Sequence, residues 1–135
     1  MRKLRPVLAV AANHRCGYCQ TQEVVSGIPL TVEHLLPRAQ GGKDEEENLW
    51  LSCRLCNEAK SGQTHVPDPQ TDQIVSLFNP RTQQWSGHFA WSEDGTIIQG
   101  LTPNGRATIH ALDLNSEFRV RSRALWVEIG KHPPT

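Results

Sequence analysis

The chain has 135 residues, of which 37% are apolar and 21% charged, a length and composition that suit one domain with a modest core and exclude disorder. Its formal net charge is zero, which excludes a global attraction to nucleic acid and leaves only local basic clusters for such contacts. No segment approaches the roughly 18 apolar residues of a membrane span, and the N-terminus lacks the pattern of a signal peptide. We therefore expect a cytoplasmic protein without membrane contact.

The first half of the sequence predicts a short mixture of helices and strands. Apolar residues at helical spacing predict a helix over residues 6–13. A β-rich run follows at residues 28–36, and residues 48–51 form a second strand candidate. A short helix is predicted over residues 54–61, with Gly62 as its C-terminal cap.

The second half predicts a linker followed by a hairpin and two helices. Residues 63–73, which contain two prolines, are interpreted as the linker. An Asp-Gly turn between apolar runs predicts a β-hairpin over residues 88–98. Thr102, followed by proline, predicts the start of one helix, and Ser116 predicts the start of the last.

The four cysteines give the strongest indication of a site. They form two Cys-x₂-Cys pairs, Cys16 with Cys19 and Cys53 with Cys56. Two thiolates three residues apart sit on one turn and can share a tetrahedral ion, so two such pairs predict a closed, structural zinc site. A metal that closes the long loop between the pairs would also stabilise a small core. The alternative is a thiol-disulfide protein, which would show reversible cysteine oxidation and no bound zinc.

A second pattern lies between and beside the cysteine pairs. It consists, in chain order, of Val32-Glu33-His34-Leu35-Leu36-Pro37, Gly41-Gly42, Asn48-Leu49 and Cys56-Asn57-x₂-Lys60. In this order and within this cysteine frame, the fragments closely resemble the HNH endonuclease family over roughly residues 16–62. The resemblance implies a ββα-metal fold over residues 32–62 and metal-dependent cleavage of DNA.

The resemblance also implies roles for four residues. His34 matches the general base that activates the attacking water, and Asn48 matches the central asparagine that holds the loop and orients the base. Glu33 and Asn57 match the two positions that ligate one divalent metal. The sequence departs from the fullest family pattern at Ser61, where some members carry a further histidine, and at Glu33, where many carry Asp or His. Both departures leave the metal preference open.

The same residue types suit phosphodiester hydrolysis on chemical grounds. A neutral histidine can accept a proton from water at cellular pH, and a divalent cation can neutralise the phosphate and stabilise the leaving oxygen. Carboxylate and amide oxygens favour Mg²⁺ or Mn²⁺. On the predicted helix Asn57 and Lys60 share a face, so Lys60 is a candidate substrate contact, together with Arg38. His65, just beyond the helix, is an alternative metal ligand.

Three further groups receive an interpretation from the sequence. The acidic residues 44–47 are expected to form a solvated loop, because their charge would repel DNA. The arginines of the last helix are expected to form a solvated helix face, with a modest DNA contact as the alternative: Arg119, Arg121 and Arg123. The tryptophans of the second half are expected in the core: Trp85, Trp91 and Trp126.

Together these observations predict an α+β fold in a single domain over residues 1–135. It would comprise a zinc-braced HNH core at residues 12–63 and a C-terminal extension at residues 64–135. The expected function is DNA hydrolysis of low sequence specificity in a prokaryotic cell. The rival interpretation is a non-catalytic zinc module that binds nucleic acid or protein, against which the presence of His34, Asn48 and Asn57 together argues. The sequence leaves open whether the chain forms a homodimer or needs a partner protein.

Overall fold

In the computed structural model, which describes all 135 residues, the N-terminal half is built around one antiparallel β-hairpin. Strand β1 (Thr31–His34) pairs with strand β2 (Leu49–Ser52), and His34 stands opposite Leu49. Because side chains alternate across a strand, Leu49 is fully buried while Trp50 beside it is partly exposed. The hairpin gives the core one apolar face and places the end of β1 at the start of the connecting loop.

Three helices accompany this hairpin. Helix α1 (Arg5–Ala11) has Pro6 in its first turn and packs against β2, and helix α3 (Arg54–Lys60) directly follows β2. Helix α2 (Glu23–Ser26) is a single turn before β1, too short to leave a periodic pattern in the sequence. The predicted order of helix, strand, strand and helix is confirmed.

The end of α3 differs from the prediction. Ser61, not Gly62, is the cap residue, and it adopts a positive φ of 49°. The N–H of Gln63 then donates to the carbonyl of Lys60 at 2.9 Å, so the chain turns one residue before the glycine. The prediction of Gly62 as the cap was wrong, because the backbone hydrogen bonds of Ser61 and Gln63 close the turn at Ser61.

The predicted linker at residues 63–73 is wrong, since most of it belongs to a second hairpin. Strand β3 (His65–Pro67) pairs with strand β4 (Ile74–Ser76) in an antiparallel sheet of two strands. Pro67 is the last residue of an edge strand, where its missing N–H costs no ladder hydrogen bond. The turn is organised by Asp68, which is fully buried.

The side chain of Asp68 holds this second hairpin against helix α4 (Pro103–Ala111). Its carboxylate accepts hydrogen bonds from the N–H of Gln70 at 3.1 Å and from the Thr71 hydroxyl at 3.1 Å. Arg106 of α4 forms an ion pair with it at 2.8 Å. The hydrogen bond from Arg106 lowers the pKa of Asp68 to about 2, so the carboxylate is ionised at neutral pH.

The remaining elements agree with the prediction. Strand β5 (Phe89–Trp91) pairs with strand β6 (Ile98–Gly100), and the turn between them has Gly95 at a φ of 77°. Thr102 caps α4 by accepting from the N–H of Gly105 at 3.1 Å. Ser116 likewise caps helix α5 (Glu117–Glu128) by accepting from the N–H of Arg119 at 3.3 Å.

One hydrophobic core joins the two halves of the chain. Its buried members include Leu8 and Leu49 from the first half and Phe89 and Leu112 from the second. Trp85 stacks on Phe89 with ring centroids 5.1 Å apart and donates its indole N–H to the carbonyl of Tyr18 at 2.8 Å. The core thus fixes the N-terminal hairpin against the C-terminal elements. None of the five helices is long and apolar enough to cross a membrane.

We predict that Asp68→Asn lowers the melting temperature at neutral pH by several degrees, because the change removes the charge that pairs with Arg106 in a buried turn. Asp72→Asn is the matched control, since Asp72 is exposed and its side chain makes no hydrogen bond. Differential scanning calorimetry of both variants measures the effect. Equal melting temperatures for the two variants would show that the Asp68 pair does not stabilise the fold.

Candidate active site

The four cysteines come together as one cluster. The side-chain sulfurs of Cys16, Cys19, Cys53 and Cys56 all lie within 4.8 Å of one another, and those of Cys19 and Cys53 are 3.6 Å apart. A tetrahedral zinc ion with bonds of about 2.3 Å needs sulfurs about 3.8 Å apart, so the cluster fits zinc. Three of the four cysteines are buried, which leaves no open coordination position for substrate.

Backbone geometry prepares each cysteine pair for the metal. The N–H of Tyr18 donates to Cys16 Sγ at 3.4 Å, and the N–H of Cys56 donates to Cys53 Sγ at the same distance. The second bond caps the N-terminus of α3, so Cys53 is both the N-cap residue of this helix and a candidate metal ligand. Such bonds stabilise the thiolate form that binds a metal.

A buried arginine from the C-terminal helix completes the cluster. Arg119 of α5 lies with Nη2 3.3 Å from Cys56 Sγ and 3.7 Å from Cys53 Sγ. Burial disfavours its charge, yet the neighbouring thiolates, Cys56 first, raise the pKa of Arg119 above its ordinary value. Four thiolates and Zn²⁺ carry a net charge of about −2. The buried guanidinium would therefore offset part of that charge.

The interpretation of the α5 arginines as a solvated face or DNA contact is wrong for two of them. Arg119 is 8% exposed and Arg123 is 2% exposed. Arg123 donates to the carbonyls of Thr96 at 2.6 Å and Leu114 at 2.8 Å. Only Arg121 is exposed, where it pairs with the glutamate one turn before it. Residues 119 and 123 are four apart and share one helix face, and the sequence alone could not show that this face turns inward.

His34 ends strand β1 and contacts the connecting loop. Its Nε2 lies 2.6 Å from Asp44 Oδ1, and its side chain is 14% exposed. Arg38 donates to both oxygens of Asp44, from Nε at 3.0 Å and from Nη2 at 2.8 Å. The hydrogen bond from Arg38 and then that from His34 lower the pKa of Asp44 to about 2. Residues 44–47 are exposed as expected, but the contact between Asp44 and His34 was not predicted.

Asn48 closes the loop that carries Asp44. Its Oδ1 accepts from the N–H of Leu36 at 2.8 Å, while its Nδ2 donates to the carbonyls of Leu36 and Lys43, both at 3.0 Å. Gly42 passes so close that a Cβ atom on it would lie 1.7 Å from the Leu36 carbonyl oxygen. One amide therefore ties together the two ends of the loop, and a glycine is required for the chain to pass between them.

Glu33 points away from His34 into the core, as strand alternation requires. It is 3% exposed, and its Oε1 accepts from the hydroxyl of Tyr18 at 2.6 Å. Burial and the Glu33 carboxylate raise the pKa of Tyr18, which keeps the phenol neutral as a donor. Lys60 Nζ lies 2.9 Å from Glu33 Oε1 and donates to the His34 carbonyl at 3.1 Å. Glu33 Oε2 is buried without a partner.

Most of the predicted site residues nevertheless border one cavity. Its volume is about 340 Å³, and its walls include Glu33, His34, Arg38, Asn57 and Lys60. Asn48 lies behind this wall in the loop, and His65 lies outside it on β3. The sequence pattern thus identified residues that the fold brings together from β1, the loop and α3.

The donors on this cavity fit a hard divalent cation. Glu33 has a buried carboxylate oxygen without a hydrogen-bond partner, and the side-chain amide of Asn57 makes no hydrogen bond. A carboxylate and an amide oxygen are ligands that Mg²⁺ and Mn²⁺ prefer. Lys60 is less free than expected for a substrate contact, because it is 6% exposed and paired with Glu33.

Residues 16–63 match the family model described as HNH endonuclease. The matched segment begins at the first cysteine and ends just beyond α3, so it contains the whole cysteine cluster and every wall residue named above. No curated protein and no solved structure matches the chain. The family resemblance of the sequence is confirmed over this segment.

We predict that Arg119→Met weakens zinc binding by about 10-fold or more, because it removes the cation beside the thiolates. Competition with a chromogenic zinc chelator measures the affinity. Arg121→Met is the control, since it removes the same charge from the exposed face of the same helix. Equal zinc affinities in the two variants would contradict a role for Arg119 in the cluster.

We predict that Gly42→Ala lowers the free energy of unfolding by about 1–3 kcal/mol, because the added methyl group forces the loop away from Leu36 and Asn48. Zinc content should stay at one ion per chain, since the cysteine cluster is elsewhere. Gly87→Ala is the control, because a Cβ at Gly87 meets nothing within 4 Å. Urea unfolding measures both variants, and an unchanged stability for Gly42→Ala would refute the close approach.

Proposed function

We propose that this chain, whose residues 16–63 form an HNH endonuclease domain, hydrolyses DNA phosphodiester bonds with a divalent metal ion bound beside His34. The observation that carries the proposal is the shared cavity, which is lined by His34 from β1, by Glu33 with its unpartnered buried carboxylate oxygen, and by Asn57, all within the matched segment. A histidine beside hard oxygen donors suits hydrolysis of an anionic ester at neutral pH.

His34 acts as the general base in this proposal. The side chain stands at the end of β1 and borders the cavity, so a water molecule in the cavity can approach the ring. A neutral imidazole accepts the proton of that water as its oxygen attacks the phosphorus. Asn48 contributes indirectly, since it holds the loop that faces His34.

Glu33 and Asn57 would hold the metal, with Mg²⁺ or Mn²⁺ as the expected ion. When bound, the cation would neutralise the scissile phosphate and stabilise the leaving oxygen. Lys60 binds Oε1 of Glu33, so Oε2, which is buried without a partner, would be the ligand atom. Tyr18 supports the same carboxylate from the core side.

Two basic side chains are proposed to contact the substrate. Arg38 suits this role, because its side chain is 61% exposed at the cavity and its Nη1 makes no hydrogen bond. Lys60 acts through its charge, since its ammonium group is committed to Glu33 and to backbone carbonyls. With so few contacts beyond the phosphate, we expect low sequence specificity and binding that weakens steeply with salt.

The cysteine cluster is proposed to hold structural zinc and to take no part in the reaction. The four sulfurs would fill all four positions around the ion, and a closed site of this kind cannot admit water or substrate. Its contribution is to fix the start of α3, which carries Asn57 and Lys60 to the cavity.

We predict that His34→Ala reduces cleavage of supercoiled plasmid by about 100-fold or more in the presence of Mg²⁺ or Mn²⁺, because the base is lost. Each protein is dialysed free of loosely bound metal, and zinc content is measured before the assay. His110→Ala is the matched control, since His110 is exposed on α4 far from the matched segment in the sequence.

Cleavage by the wild type and by His110→Ala, but not by His34→Ala or without added metal, would support the proposal. Equal cleavage by wild type and His34→Ala would show that another residue is the base or that the activity is a contaminant. Absence of cleavage with zinc bound and the fold intact would favour the rival function, a zinc module that binds nucleic acid or protein without hydrolysis.

A further inference from the structure

We propose that Asp44 is a positioning residue that fixes the ring orientation and the tautomer of His34, and that Arg38 holds Asp44 in place for this task. The inference rests on the proposed function, because it assumes that His34 accepts a proton. It concerns a residue outside the sequence pattern, in a loop that the sequence presents only as an acidic surface.

The contact between Asp44 and His34 determines which ring nitrogen carries hydrogen. A carboxylate ionised at neutral pH only accepts hydrogen bonds, so a nitrogen 2.6 Å from Asp44 Oδ1 must be the donor. In the neutral ring Nε2 therefore bears the hydrogen and Nδ1 has the lone pair. His34 Nδ1 makes no hydrogen bond within the chain, so it is the atom free to accept a proton from water.

Arg38 fixes the carboxylate in the orientation that His34 needs. The two parallel contacts, Nε to Oδ1 at 3.0 Å and Nη2 to Oδ2 at 2.8 Å, define the plane of the Asp44 carboxylate. The Asp44 side chain is 47% exposed, and a pair this open to solvent adds little to stability. Its effect is therefore on geometry, not on the folded state as a whole.

The loop places Asp44 through the Asn48 amide. Asn48 Nδ2 binds the carbonyl of Lys43, the residue immediately before Asp44, at 3.0 Å. The same amide binds both backbone groups of Leu36, two residues after His34. The Asn48 side chain thus holds the backbone beside His34 and beside Asp44 at a fixed separation. The loop between β1 and β2 therefore positions Asp44 against His34.

Asp44 forms side-chain contacts, whereas the three acidic residues that follow it do not. The side chains of Glu45, Glu46 and Glu47 make no hydrogen bond and are exposed. Glu47→Gln therefore removes one negative charge from the same loop without touching His34, and it serves as the matched control for Asp44→Asn. Any effect of net charge on DNA binding appears equally in both variants.

The test combines cleavage kinetics with a direct reading of the ring. In Asp44→Asn the side-chain amide can donate to Nε2, which favours the tautomer with hydrogen on Nδ1 and removes the acceptor. We expect kcat for plasmid cleavage to fall by about 100-fold or more with KM unchanged, by analogy with carboxylate-to-amide changes beside catalytic histidines in other enzymes. Glu47→Gln should keep the wild-type kcat. Zinc content and melting temperature confirm that each variant is folded.

Nitrogen-15 NMR of histidine-labelled protein reports the tautomer without reference to activity. The His34 signals are assigned by their absence in His34→Ala. We expect the wild type and Glu47→Gln to show hydrogen on Nε2, and Asp44→Asn to show a shift towards Nδ1. An unchanged tautomer, or a kcat in Asp44→Asn equal to that of Glu47→Gln, would overturn the inference. Wild-type cleavage equal to that of His34→Ala would instead overturn the proposed function, while the NMR result would still decide whether Asp44 fixes the ring.

Discussion

Four thiolates held within 4.8 Å of one another are the constraint on which the rest of this structure depends. Such a cluster is strongly repulsive unless cations offset it, and the chain provides Arg119 beside the site that fits zinc. The cluster joins the turn after α1, the start of α3 and the inward face of α5. Helix α3, which brings Asn57 and Lys60 to the candidate cavity, is therefore positioned by the sulfurs at its first turn.

The candidate site divides its charges between two sides of one short strand. Glu33 faces the core, where Lys60 and Tyr18 bind one of its oxygens, and His34 faces the loop, where Asp44 binds its ring. Strand alternation alone produces this separation. The core side buries the Glu33 carboxylate, whereas the loop side leaves the His34 imidazole partly exposed at the wall of the candidate cavity.

Local patterns in the sequence predicted much of the fold because they describe short-range physics. The cysteine spacing, the Asp-Gly turn and the Thr102 and Ser116 caps each involve residues within a few positions of one another. The second hairpin was missed because its prolines look like a linker, while the buried pair of Asp68 with Arg106 forms only in the folded chain. The contacts of Asp44 with His34 and of Arg119 with Cys56 were missed for the same reason, since these partners lie 10 and 63 residues apart in the chain.

The contact from Arg119 to the cysteines also bears on how this gene can change by recombination. The segment that matches the family ends at residue 63, yet one cation that balances its metal cluster comes from a helix that begins at Glu117. A shuffling event that moved residues 16–63 into another protein would separate the thiolates from their counterion. The cysteine cluster and its counterion therefore belong to one structural unit that extends beyond the matched segment, through α5.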